Sequence, residues 1–73
     1  MDNTILTSRE ANALYSEKQE LQNLVSKSEL YVEENNITDP VVTSVIESMN
    51  KRYRQDILAL NIILSTTPVQ FQA

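Results

Sequence analysis

The sequence predicts an all-α protein: a two-helix antiparallel hairpin, coiled-coil-like, that is oligomerised or bound to a partner. Three observations carry that expectation. Glycine is absent and proline occurs only at Pro40 and Pro68, which starves a β-rich fold of turns and leaves long stretches free of helix breakers. Two such stretches carry apolar residues at alternating three- and four-residue spacing, the signature of a helix with one buried face. Between them lies a single short break, "ENNITDP".

The first helix is expected over about 8–34. In "LTSRE", Thr7 stands three residues before Glu10, the spacing of a capping box, and Leu6 and Ala11 occupy the hydrophobic-staple positions. Ala11, Leu14, Lys18, Leu21, Val25, Ser28 and Val32 then mark the inward stripe, interrupted by Lys18 and Ser28 and widened on one side by Leu24 and Tyr31.

The turn is expected over 35–39. Asn35 or Asn36 takes the left-handed conformation that ends a helix where glycine is missing. Asp39 before Pro40 supplies an N-cap acceptor and a first helical residue with its φ already set. Ile37 sits close enough to staple onto the new helix.

The second helix is expected over about 40–66, stopping ahead of Pro68. Its apolar stripe reads Val42, Ile46, Met49, Tyr53, Ile57, Leu60 and Leu64, a period of about 3.7 residues. The tail, 67–73, is too short to assign and is expected to be flexible or docked. The whole chain, 1–73, reads as one domain. Two helices of this length run roughly 40 Å each. Folded back on each other, they pair positions whose numbers sum to about 74. That register sets the basic cluster "KRYR", at 51–54, across from Glu17 and Glu20.

Composition narrows the function. A chain of 73 residues without cysteine or histidine has neither disulfides nor the commonest metal ligands to staple it. A larger interface is the remaining route to stability at this size. A net charge of −4 and only four aromatic residues argue against phosphate binding and base stacking. Nucleophile–base pairs lose their usual members without His or Cys. The serines stand in no strained turn, and Lys18 is expected to run its stem along the seam with its head in water. The sequence therefore predicts no enzyme, no cofactor, no metal, no small-molecule substrate and no nucleic-acid partner. "MDNTILTSRE" has no basic stretch leading into an apolar one, and no run approaches the roughly 20 apolar residues that span a bilayer. A cytoplasmic protein without a membrane partner is expected.

One stretch asks for more than the hairpin provides. From 57 to 64, "ILALNIIL", the sole polar residue is Asn61. A helix apolar nearly all round needs cover on several sides. With Leu60 and Leu64 turned inward, Leu58 and Ile62 lie well off that face and Ile63 flanks it. A second chain, another protein or another copy, is expected to cover them. The competing expectation is that "TIL" at 4–6, with Val69 and Phe71, folds over the same patch. The candidate partner-binding residues are Tyr53, Ile57, Leu58, Leu60, Ile62, Ile63 and Leu64.

The bend "EENNITDP" and the "NIIL" near the end of the second helix resemble the small co-chaperones of type III secretion needle subunits. The likeness covers about half of the chain. It implies a cytoplasmic helical hairpin that joins a larger helical-repeat chaperone and keeps the needle subunit from polymerising early. Tyr53, Ile57, Leu60, Ile63 and Leu64 would then belong to the core or the partner surface. The hairpin with its "DP" restart is also similar to the small sporulation phosphatases. In that register "IESMN", at 46–50, replaces the family's acidic residue with Asn50. A third reading, an inhibitor of a host protein carried by a phage or mobile element, rests on small size and acidity.

Overall fold

The computed structural model describes residues 5–70. The chain is an antiparallel helical hairpin. A strand β1 (Leu6–Thr7) leads into α1 (Ser8–Glu34); α2 (Pro40–Thr66) returns alongside it, and β2 (Val69–Gln70) follows. Both helices have the bounds that the caps and breakers predict.

Each terminus has a local cause. Thr7 Oγ1 accepts from the Glu10 N–H at 3.1 Å, and Glu10 Oε1 accepts from the Thr7 N–H at 3.0 Å, closing the capping box. At the other end of α1, Asn36 takes φ = 50°. The Ile37 N–H then reaches the Val32 carbonyl at 3.1 Å and the Asn36 N–H the Glu33 carbonyl at 3.3 Å. These two bonds make a Schellman motif, with asparagine where glycine usually stands. Asp39 Oδ1 caps α2 by accepting from the Val41 N–H at 2.8 Å, and Pro40 opens the helix.

Along α1 the inward stripe is the predicted one: Ala11, Leu21 and Val25 are buried, and Leu14, Lys18, Ser28 and Val32 are half-buried. Along α2 the structure corrects the prediction. Thr43 and Asn50 face inward, and Val42 and Met49, assigned inward from their hydrophobicity, are 41% and 49% exposed. The half-buried positions Thr43, Ile46, Tyr53, Ile57, Leu60, Leu64 and Thr67, with buried Asn50, advance by three and four in strict alternation. That 3.5-residue repeat keeps a seam against its neighbour along the full length of a supercoiled pair.

The pairing register is also displaced. Ser28 meets Asn50, so facing positions sum to 78, about one helical turn away from the symmetric hairpin. The reason lies at the bend: the first turn of α2 runs past the end of α1, leaving Val41 exposed. Arg54 pairs with Glu29, which follows an inward position as Arg54 does, and not with Glu17 or Glu20, which precede inward positions and lie on the other flank.

The tail is docked at least as far as Gln70. Leu6 lies beside Val69 and Thr7 beside Gln70 in a parallel pair, tied by the Leu6 N–H to the Pro68 carbonyl at 2.9 Å. Two short segments from the two ends of the hairpin thus close its open end.

The molecule measures 51 × 27 × 12 Å. Its depth is that of one helix, about 10–12 Å across with side chains. Its radius of gyration is 16.4 Å, against about 11 Å for a compact chain of this length. A single layer of helices cannot surround a side chain on all sides. No side chain is fully buried among the described residues.

Candidate functional site

The apolar end of α2 divides into two sets. Tyr53, Ile57, Leu60 and Leu64 are half-buried in the seam with α1. Leu58 and Ile62 are 60% and 53% exposed, and Ile63 is also exposed. The 3.5-residue repeat separates them: seam positions point at α1, and Leu58 and Ile62 fall on the outer surface of the same helix. The docked ends do not change this. Leu6 and Val69 are half-buried, Ile5 remains about half exposed, and Leu58 and Ile62 keep their exposure. Thr4 and Phe71, the other residues expected over this patch, lie outside the described residues.

The polar residues of the seam have partners. The Lys18 stem lies in the seam and its Nζ donates to Asn61 Oδ1 at 3.0 Å, 5.2 Å from the centre of the Tyr15 ring. The one polar residue of "ILALNIIL" thus receives the one lysine of the α1 seam, and the ring face adds a cation–π contact. Asn50, only 4% exposed, lies 2.9 Å from Ser28 Oγ, which is also 2.9 Å from the Val25 carbonyl. A hydroxyl has one proton. Ser28 Oγ is the donor facing both Asn50 Oδ1 and the Val25 carbonyl, so the two acceptors share that proton.

These contacts also give the hairpin two unlike flanks. The Arg54–Glu29 ion pair and the Lys18–Asn61 bond lie on one flank, with Tyr15 beside them. The opposite flank carries the residues that precede inward positions. Its large apolar members are Leu24 and Tyr31 on α1 and Val42, Val45, Met49 and Ile63 on α2, all exposed, with Glu17, Glu20, Lys27, Arg52 and Asp56 between them. Sequence reasoning saw Leu24 and Tyr31 widen the α1 stripe. That α2 widens on the same side is hidden in the sequence, because hydrophobicity places Val42 and Met49 in the seam.

Among the described residues, no group of three or more acidic side chains is placed to hold a metal, and no helix is long and apolar enough to cross a membrane. Asn50, at the position matching the acidic residue of the sporulation phosphatases, faces α1 and not solvent. Among the described residues the one clear electrostatic perturbation is at Glu10. Its carboxyl is held below the ordinary range, first by the Thr7 backbone N–H and then by the Thr7 hydroxyl.

No family model, curated protein or solved structure matches the chain. What the hairpin offers chemically is apolar surface: an outer patch at Leu58 and Ile62, and an apolar flank made by both helices.

Proposed function

We propose that this chain is a non-enzymatic protein–protein interaction module, a small cytoplasmic co-chaperone or adaptor that binds a helical partner through the apolar end of α2. The observation that carries the reading is the exposure of Leu58 and Ile62 after the hairpin has closed and its ends have docked. Covering one such side chain fully is worth roughly 1.5–3 kcal/mol. Two of them one turn apart suit the helix-in-groove mode, in which anchors at i and i+4 enter one apolar cleft. Ile63, beside them, extends the surface. The likeness of the bend and second helix to needle-subunit co-chaperones supports the same reading and supplies the partner class, a larger helical-repeat protein.

The test compares the wild-type chain with Leu58→Asp and Ile62→Asp as immobilised baits. A purified partner should be held by the wild type and lost at least about tenfold in affinity by each variant. Circular dichroism of both variants should match the wild type, since neither residue faces α1. Equal binding by the variants would overturn this placement of the surface.

A further inference from the structure

We infer that the apolar flank is a self-association surface, and that two copies pack α2 against α2 antiparallel to form a four-helix bundle. The argument starts from an area. The chain exposes 5982 Å², whereas a compact monomer of 8.3 kDa exposes about 4,600 Å². The excess is larger than the roughly 800 Å² that each partner hides in a standard interface.

The occupant is set by the order of residues along the flank. Val45, Met49, Arg52, Asp56, Ala59 and Ile63 step by four, three, four, three and four, and all six are exposed. This second stripe lies one residue, about 100° of helix, from the seam that faces α1. In a square four-helix arrangement each helix has two neighbours about a right angle apart.

The stripe is also self-complementary. It is symmetric about the midpoint between Arg52 and Asp56. Antiparallel pairing with a second copy therefore sets Arg52 against the partner copy's aspartate, and Asp56 against its arginine. On either side Met49 meets alanine and Val45 meets isoleucine, large against small and branched against branched. A two-fold interface requires such self-matching, residue i on j and j on i. Within one chain Arg52 and Asp56 are four apart, yet among the described residues the one ion pair is Arg54–Glu29. Both central charges stay available.

Helix α1 agrees independently. The Ser28–Asn50 register puts Leu24 level with the midpoint of the α2 stripe. The same two-fold axis would set Leu24 against its own copy and bring Lys27 close to the other copy's glutamate at position 20. This dimer leaves Leu58 and Ile62 on the outside, so it overlaps the partner surface proposed above only at Ile63.

The test is light scattering of the purified full chain across a concentration series, with circular dichroism alongside. The wild type should weigh about twice 8.3 kDa. Arg52→Asp and Asp56→Arg should each raise the dimer dissociation constant roughly 10- to 100-fold by setting like charges together. The double variant should restore it, and Leu58→Asp should leave the mass unchanged. A helical wild type at single-chain mass throughout would overturn the inference. So would an undisturbed dimer in Arg52→Asp, or a double variant that fails to re-form it.

Discussion

Ser28, half-buried, and Asn50, buried, face each other across the hairpin at 2.9 Å and join the two helices by a polar contact inside the seam. A hydrogen-bonded asparagine in an otherwise apolar seam costs stability but penalises every slipped register, because sliding by one turn would leave it unpaired. Here it holds a register that the symmetric bend does not by itself select.

Replacing the amide by a carboxylate tests how closed the site is. Asn50→Asp should destabilise the fold by about 2–4 kcal/mol at neutral pH, since an ionised group would be buried beside a single hydroxyl. Burial raises the carboxyl pKa, so the folded state prefers the protonated form and stability should recover as pH falls. Urea unfolding at pH 7 and pH 5 measures this. An undiminished midpoint at pH 7 would mean the site is open to water.

The bend depends on one backbone conformation. Asn36 at φ = 50° should accept glycine with little change, and Asn36→Val should cost about 1–2 kcal/mol, the penalty of a left-handed residue with a branched side chain. Thermal melts of both variants, with helicity at low temperature as a control, separate the two cases.

The capping box adds a pH-dependent contribution. The Glu10 carboxyl sits below its ordinary value in the folded chain, so its share of stability is complete above the unfolded value, about 4.3. It is lost as pH falls through the folded value. Melting temperature should therefore fall on acidification through that window, and this component should be missing from Glu10→Gln. Thr7→Ala removes the cap itself and should cost about 1 kcal/mol at neutral pH.

Local chemistry explains why both helices, their caps and the bend are legible before folding. Thr7 with Glu10, Asn36 and Asp39–Pro40 act within four residues of themselves. The α1 seam is legible too, because spacing alone places its polar members Lys18 and Ser28 in the stripe. On α2 hydrophobicity misled: Val42 and Met49 are more apolar than Thr43 and Asn50, yet the polar pair faces inward. Asn50 is satisfied there by Ser28, 22 residues away, and no local pattern announces a partner that distant.

The two-residue ladder between Leu6–Thr7 and Val69–Gln70 has the same character, since neither segment is long enough to signal a strand without the other. By itself, then, the sequence determined the helices, their ends, the bend and the surplus of apolar residues near 57–64. Tertiary structure alone decided the register, and with it which apolar residues pack against α1 and which form a second stripe. Elements follow from energies that act within a turn or two of chain. Register follows from which long-range polar pair is satisfied, and only the assembled hairpin brings Ser28 to Asn50.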